Sequence, residues 1–340
     1  MFKTLNAWRG IFILLIFIHH CYVIPWSYQN GFGATGVTYF FFLSGFLLAY
    51  HYKRPIVEKT FSYSDFLIKR VSKIYPLHWI VALFFVWLTW DEVLGKAIPL
   101  NFMLLQSWFP LYKVYFSLNG TSWFLSSIVF CYFVFPLLIR FFEKWGKTAW
   151  ILFMLYALGW ILFSELYPPI NEGWGNKAGW YNHNPMSRVV DFGCGILCCN
   201  IYNWLKSLNI KVPAYLPTIA EVVCCLLIVI LLYDYSLLPW GVDKVAVGLF
   251  ILTFALQEKG LLSRLLQNRL FMYLGKISFS IYIIHAAVIC GIDYNLPFHY
   301  GVTALIELGI TLILSIISFH LLEPYTSKTM SEILKRAIKR

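Results

Sequence analysis

Charged residues are scarce in this sequence. Asp, Glu, Lys and Arg make up 13% of the 340 residues, whereas hydrophobic residues make up 60%. A soluble globular domain has roughly 45–50% apolar and about 25% charged residues, so the composition excludes an ordinary soluble domain. The apolar runs extend over about 20 residues, the length of a helix that crosses a bilayer, whereas barrel strands alternate over about 10 residues. We therefore predict an all-α integral membrane protein, a bundle of about ten transmembrane helices.

The sequence also lacks the patterns of a disulfide framework, a metal site and a nucleic-acid-binding surface. All eight cysteines lie inside apolar segments. Cys194, Cys198 and Cys199 have helical spacing, but no nearby histidine or carboxylate completes a ligand set. The net charge of +11 does not indicate nucleic acid, because no stretch interleaves basic and aromatic residues as a nucleic-acid groove does. We predict packing cysteines, no metal and no nucleic-acid partner.

Hydropathy windows of about 19 residues predict ten membrane spans. The predicted spans are residues 7–25, 34–52, 74–91, 122–142, 148–166, 187–205, 217–234, 239–257, 272–291 and 300–321. No small-x-small cleavage site follows the first apolar run, so we expect a retained first span rather than a signal peptide. Segments 98–109 and 168–186 are too short or too polar to cross, and we expect interfacial or re-entrant segments there.

The distribution of basic residues predicts the orientation of these spans. With the N-terminus in the cytoplasm, all but five of the 27 lysines and arginines fall on the inner side. The five on or near the outer side are Lys96, Lys113, Lys177, Arg188 and Lys244. This asymmetry follows the positive-inside rule and predicts that both termini are cytoplasmic, N-in and C-in. Because no repeat or flexible linker divides the chain, we expect one integral-membrane domain over residues 1–340.

The first span carries two ionisable residues on one helical face. Arg9 and His20 are eleven residues apart, about 20° from three full turns and roughly 16 Å along a helix axis, whereas His19 points about 100° away. An ionisable residue inside a span is costly and commonly faces a cavity, and neutral histidine can accept a proton from a hydroxyl. His20 is therefore a catalytic candidate. The alternatives are a snorkelling anchor for Arg9 and an interhelical hydrogen bond for His20.

A basic cluster precedes the third span. In "FLIKRVSKIYPLHW", Arg70 and Lys73 stand one helical turn apart, and Lys69 extends the cluster. Such a cluster commonly sets topology and binds lipid headgroups. The alternative is a phosphate clamp for a cytosolic cofactor, in which arginine supplies a planar fork of donors and lysine a mobile charge.

Taken in order, these motifs resemble those of the acyltransferase-3 family of integral membrane acyltransferases. "RGIFILLIFIHH" is similar to the family's R-x10-H motif, with Arg9 and His20 at its fixed positions. "YFFFLSGFLLA" resembles the family's second span through Phe41, Ser44 and Gly45, and "FLIKRVSKIYPLHW" resembles its R-x-x-R-I-x-P segment. "TSWFLSSIVFCYFVFP", "NPMSRVVDFGCGI", "LGKISFSIYIIHAAVI" and "SFHLLEPYTSK" match later blocks in order, so the resemblance covers nearly the whole chain.

The resemblance implies an enzyme that moves an acyl group, usually acetyl from acetyl-CoA, to a hydroxyl of a glycan or lipid-linked sugar. It implies His20 as the catalytic histidine, Arg9 as its motif partner, and Arg70 and Lys73, with the adjacent Lys69, as the site for cofactor phosphates. It also implies a ten-span core, which we expect in a bacterial inner membrane. The second basic position is Lys73 where arginine is common, and Ile128 stands where many members have glutamate.

Further candidates for binding the acceptor each have a structural alternative. These candidates are Ser44, Arg188, Asp191, His285, Glu323 and the aromatic residues between 167 and 181. Ser44 lies in mid-span, where a small residue usually serves close helix packing, and Arg188 with Asp191 also fits an ion pair across one turn. His285 fits a satisfied core histidine. Glu323 with Pro324 is expected to end the last helix, where its carboxylate would pair with a loop arginine.

Functions from other classes remain open at the level of sequence. The same polar cavity suits a transporter or flippase for a lipid-linked glycan that performs no chemistry, and a structural partner in glycan assembly is a third hypothesis. A basic cluster at the inner mouth favours the enzyme, because a passive path needs no polyphosphate clamp. The sequence contains no G-x-S-x-G elbow, and we expect a stand-alone member without a hydrolase-like domain. Transfer would therefore finish within the bundle or involve a separate partner, and the chain is either a monomer or a homodimer.

Overall fold

The computed structural model describes residues 2–21, 31–88, 92–166, 177–233, 241–293 and 300–339. These residues are helical almost throughout and contain no strand, which confirms the predicted all-α class. The helices are α1 Lys3–His20, α2 Phe32–Val57, α3 Tyr63–Leu88, α4 Glu92–Phe102, α5 Tyr112–Tyr115, α6 Trp123–Leu166, α7 Lys177–His183, α8 Pro185–Ser207, α9 Leu216–Tyr233, α10 Val242–Leu256, α11 Leu261–Leu266, α12 Arg269–Asp293, α13 Tyr300–Ile317 and α14 Glu323–Lys339.

Several helices are long and apolar enough to cross a membrane, so the chain is a multi-pass membrane protein. In the described parts of the chain, five segments combine at least 18 helical residues with sufficient hydropathy. They are Phe32–Val57, Tyr63–Leu88, Gly120–Phe163, Arg269–Ile292 and Gly301–Ile338. The third of these bends at Gly146, whose φ of 51° suits glycine and separates the two spans predicted there. Each of the ten predicted spans overlaps a helix.

The chain divides into two compact units, residues 1–50 with 191–312 and residues 51–190 with 313–340. In the first unit, α1 packs against α12 through two glycines. A Cβ on Gly10 would lie 2.7 Å from Leu274 Cβ, and a Cβ on Gly275 would overlap the carbonyl oxygen of Asn6. The Asn6 amide nitrogen donates to the carbonyl of Met272 at 3.0 Å. Small residues thus let the two helix backbones approach closely, as is common in membranes.

We expect Gly275→Ala to lower the free energy of unfolding by at least about 2 kcal/mol, because the added methyl group would force α1 and α12 apart. Gly309→Ala in α13 is the matched control. A Cβ there meets no atom within 4 Å, and alanine is the better helix former by about 1 kcal/mol. Thermal unfolding of the two purified variants in detergent measures the change in stability that each substitution causes. Equal melting temperatures for the two variants would contradict the close packing of α1 and α12.

A second close approach joins α2 to α8 in the first unit. A Cβ on Gly45 would overlap the carbonyl oxygen of Phe192, and a Cβ on Gly195 would overlap that of Phe42. The Ser44-Gly45 pair of the sequence motif therefore lies at a helix crossing, with Ser44 partly buried beside it. This position agrees with the alternative that Ser44 serves close helix packing rather than binding of the acceptor.

In the second unit, buried polar contacts hold the connection between α3 and α6. His78 Nε2 lies 2.8 Å from the carbonyl of Asn101, and the Asn101 amide donates to the carbonyl of Ser117 at 2.6 Å. Segment 98–109, predicted as interfacial or re-entrant, forms the end of α4 and a 3-10 turn at Gln106–Trp108. Of segment 168–186, residues 168–176 lie outside the described residues, and Lys177–His183 is α7.

The predicted end of the last helix at Glu323 and Pro324 is wrong. After α13 the chain makes a π-helical turn at Ser318–Leu322 and continues as α14 to Lys339. Proline lacks an N–H and its ring would clash with the carbonyl four residues earlier in a regular α-helix, so the wider π-helical turn just before Pro324 accommodates it. α14 packs along α3 within the second unit.

Candidate functional site

Two histidines meet in the first unit. His20 is the last residue of α1, and His285 lies within α12 with none of its surface exposed. The Nε2 atom of His285 lies 3.3 Å from Nδ1 of His20, and the two ring centroids are 5.0 Å apart. The pairs Asn6–Met272 and His20–His285 are 266 and 265 residues apart in sequence. Because this separation in sequence stays nearly constant as both helices advance, α1 and α12 run parallel.

The hydrogen bonds of the two rings determine which nitrogens carry protons. Nδ1 of His285 lies 3.1 Å from the carbonyl of Ile281. A carbonyl only accepts, so Nδ1 holds the hydrogen and Nε2 of neutral His285 is an acceptor. Nδ1 of His20 lies 2.8 Å from the carbonyl of Ile16, so its one hydrogen is shared between that oxygen and, at the longer distance of 3.3 Å, Nε2 of His285. The lone pair of neutral His20 is therefore on Nε2, which forms no hydrogen bond with the described residues.

Arg9 lies on the same helix as His20, as predicted. It is partly buried and within electrostatic reach of Tyr39 on α2. The Tyr39 hydroxyl donates to the carbonyl of Leu5 at 2.9 Å, and its ring stacks on Phe12 at 4.0 Å between centroids. α1 is thus anchored to α2 near Arg9 and to α12 near His20.

Glu307 is a buried carboxylate that the sequence analysis missed. It lies on α13 with none of its surface exposed, and Cys21 Sγ donates to its Oε2 at 3.4 Å. Cys21 directly follows His20, so a buried acid lies close to the end of α1 that carries the histidine. An acidic residue in the middle of the apolar run "LIELGITL" was the available signal, because such residues in spans are rare and commonly functional.

A basic groove lies between α3 and α14 in the second unit. The cavity has a volume of about 880 Å³. Its charged and titratable lining residues are Asp65, Lys69, Lys73, His320, Glu323, Lys328 and Lys335. Lys69 and Lys73 are four residues apart on one face of α3, and the other two lysines come from α14, a helix that was not predicted. Four lysines against two carboxylates suit a ligand with several negative charges.

Arg70 does not line this groove. Its guanidinium lies over three aromatic rings, 5.9 Å from the centroid of Tyr52, 5.6 Å from Phe66 and 5.6 Å from Tyr132. Arg70 directly follows Lys69 on α3, so its side chain is rotated by about 100° around the helix axis and points away from the groove. The structure thus separates Arg70 from the two lysines with which the sequence grouped it.

The predicted acceptor residues at the start of α8 have other contacts. Asp191 pairs with Lys244 at 2.7 Å, and Asp243 lies 3.6 Å from the same ammonium group. In the second unit, Arg188 Nε donates to the carbonyl of Asn182 at 2.7 Å, with its guanidinium 5.4 Å from the Trp123 ring. Asp191 therefore takes part in an ion pair, with Lys244, 53 positions away, as its partner, whereas the predicted structural alternative paired it with Arg188.

Some predicted site residues come together and others do not. His20 and His285 meet in the first unit, and Lys69, Lys73 and Glu323 meet in the second. Among the aromatic residues between 167 and 181, Tyr167 and Trp174 lie outside the described residues. Trp180 Nε1 donates to the carbonyl of Ser107 at 3.1 Å and Tyr181 is buried, so both have structural contacts.

Comparison with known proteins agrees with the motifs. The sequence model of the family described as "Acyltransferase domain" matches residues 2–323. The curated protein "Acyltransferase MdmB" from Streptomyces mycarofaciens is 26% identical over an alignment of 292 positions, and the match covers 76% of this chain and 68% of that protein. No solved structure matches the chain. Since the family match extends over nearly the whole sequence, the chain belongs to the acyltransferase-3 family and is a membrane acyltransferase.

Proposed function

We propose that the protein transfers an acetyl group from cytosolic acetyl-CoA to a hydroxyl of a cell-surface polysaccharide or lipid-linked sugar. The observation that carries this proposal is the His20–His285 pair, which leaves the Nε2 lone pair of His20 available in a chain of an acyltransferase family. A neutral imidazole of this kind is the group that acyl transfer to a hydroxyl needs.

The proposed reaction takes place at His20 Nε2. This atom accepts the proton of the acceptor hydroxyl while the hydroxyl oxygen attacks the thioester carbonyl. The C–O ester bond forms, the C–S bond breaks, and the proton passes to the leaving thiolate to give CoA. In the alternative, Nε2 attacks the carbonyl and the C–S bond breaks to release the CoA thiolate. The hydroxyl oxygen then attacks the acetyl-imidazole, the C–N bond to Nε2 breaks, and the hydroxyl proton passes to the thiolate to give CoA. Arg9 would guide the pantetheine arm, since the rise from Arg9 to His20 is roughly 16 Å, comparable to that arm.

We assign the phosphates of the donor to the basic groove, with Lys69 and Lys73 on one wall and Lys328 and Lys335 on the other. Lysine binds phosphate as a mobile point charge, and several lysines around one cavity suit the clustered phosphates of a coenzyme. Arg70 then supports the fold of α3 through its aromatic neighbours rather than contacting phosphate.

Removing two groove lysines is expected to weaken donor binding. In Lys69→Ala/Lys73→Ala, we expect the KM for acetyl-CoA to rise by about 10-fold or more with kcat nearly unchanged, because phosphate contacts are made equally in the ground and transition states. Lys211→Ala, at an exposed lysine between α8 and α9, is the matched control. Initial rates at varied acetyl-CoA measure the effect. An unchanged KM in the double variant would exclude the groove as the phosphate site.

We propose the predicted ten-span topology, with both termini in the cytoplasm, for a single domain in a bacterial inner membrane. The parallel direction of α1 and α12 supports it, because the first and ninth spans of such a topology cross in the same direction. Cysteine labelling from outside the cell tests it. A cysteine placed at Lys335 should react only after the membrane is opened, whereas reaction in intact cells would exclude the proposed orientation.

The decisive experiment follows radiolabelled acetyl-CoA in inverted membrane vesicles from cells that carry the natural acceptor. Vesicles with the protein should transfer label into the polysaccharide or glycolipid fraction, and vesicles from a deletion strain should not. Label released only as free acetate, or no label transferred in either sample, would contradict the proposed function.

A further inference from the structure

We propose that His285 is a positioning residue that holds the ring of His20 in the tautomer and orientation needed for acyl transfer. The inference rests on the proposed function of His20 and goes beyond it by assigning a role to a second histidine. His285 itself would not touch the acceptor or the donor, since its two ring nitrogens face Ile281 and His20.

The orientation of the His285 ring is fixed by a hydrogen bond at one nitrogen and by the packing of its buried side chain. Its Nδ1–H donates to the carbonyl of Ile281 one turn earlier in α12, so its Nε2 must accept. Its side chain is fully buried, with the rings of Phe17 and Tyr282 at 6.4 and 5.8 Å between centroids. The ring has little freedom to turn, and the acceptor atom stays directed at His20.

The close packing of α1 and α12 sets the distance between the two histidines. At Gly10 and Gly275 the helix backbones approach so closely that no side chain fits between them. Because the helices run parallel from that contact, residues about ten positions further along each helix face one another. The glycines therefore place His20 opposite His285, although they lie far from both rings in sequence.

The second acceptor matters most when His20 becomes charged. When Nε2 of His20 takes the acceptor's proton, both ring nitrogens carry hydrogen and the ring is a cation. The Nδ1–H then donates to Ile16 and to His285 as a charged donor, and such hydrogen bonds are shorter and stronger than neutral ones. A second acceptor at Nε2 of His285 therefore helps to stabilise the charge that develops during transfer, beside the buried carboxylate of Glu307 near the end of α1.

A histidine that only fills the core would have a different requirement. Such a histidine would contribute only its shape and its hydrogen bond to Ile281. A residue that supplies both should then preserve the wild-type rate. Asparagine retains a donor near the position of Nδ1 but has no atom at the position of Nε2. Glutamine is longer, and its amide oxygen reaches the position of Nε2. The two substitutions therefore separate a core role from a positioning role.

The test compares His285→Gln with His285→Asn in the full-length protein, using transfer of label from acetyl-CoA in inverted vesicles. Rates are normalised to the amount of monodisperse protein. We expect the Gln variant to retain at least about a tenth of the wild-type kcat and the Asn variant to lose on the order of 100-fold. The KM for acetyl-CoA should stay unchanged in both, because the lost interaction strengthens only in the transition state.

Two results would overturn the inference. One is a wild-type rate for His285→Asn, and the other is an equal loss in both variants together with a raised KM. If the Asn variant does not fold, His285→Leu replaces it, because leucine also lacks an acceptor. These failures differ from failure of the proposed function, in which the wild-type protein itself transfers no label.

Discussion

Replacing His20 by alanine is expected to lower the rate of acetyl transfer by about 10³-fold. General acid–base catalysis contributes roughly 10²–10⁴ to a rate, and a histidine that carries the acyl group would be lost as completely. The amount of folded protein should change little, since His20 ends α1 and is only partly buried. Initial rates in inverted vesicles, divided by the amount of protein, measure the effect.

His19→Ala is the matched control for this prediction. His19 is the same residue type one position away. Its ring packs against Gly33 of α2 and lies edge to face with the His20 ring, 5.0 Å between centroids, but it forms no part of the His20–His285 pair. Its loss should leave the rate within about a few-fold of the wild type, in the range of substitutions that only alter packing. Equal losses from the two substitutions would mean that the end of α1 has a structural role, and the catalytic assignment would fail.

The second large effect is a loss of stability, expected when the buried ion pair of Lys244 in the first unit is broken. Lys244 lies between two buried carboxylates, Asp191 at 2.7 Å and Asp243 at 3.6 Å. The side chains of Asp191 and Lys244 are only 2% and 19% exposed. Removing one partner of a buried pair leaves an uncompensated charge and costs about 3–5 kcal/mol. We expect Lys244→Met to lower the free energy of unfolding by about that amount.

Asp191→Asn should cost less than Lys244→Met, because Lys244 then still has Asp243 nearby. Thermal unfolding in detergent compares the two variants. If Asp191 instead binds the acceptor, Asp191→Asn will keep the wild-type melting temperature and raise the KM for the acceptor. An equal melting temperature for Lys244→Met and the wild type would show that the pair contributes no stability.

Features that follow from local periodicity could be predicted from the sequence. The shared face of Arg9 and His20 depends only on the 100° rotation per residue, and both lie on α1 as expected. The helical class and the positions of the apolar segments depend on composition and hydropathy, which are also local. The order of the motifs was enough to predict the acyltransferase-3 family.

Features that depend on packing between distant segments could not be predicted. His285 is a partner of His20 only because α1 and α12 run parallel, which brings together residues 265 positions apart. Lys69 and Arg70 are adjacent in sequence, yet one lines a groove and the other lies among aromatic rings. The groove itself requires α14, which exists because the chain continues through a π-helical turn where a helix end was expected.

The central claim is that His20 performs acetyl transfer to a surface glycan. Its most direct test is the acetyl content of envelope glycans, measured by mass spectrometry in a deletion strain that expresses the wild type, His20→Ala or His19→Ala at matched levels. We expect the wild type and His19→Ala to restore acetylation and His20→Ala to leave it at the level of the deletion strain. Full acetylation with His20→Ala would contradict the claim.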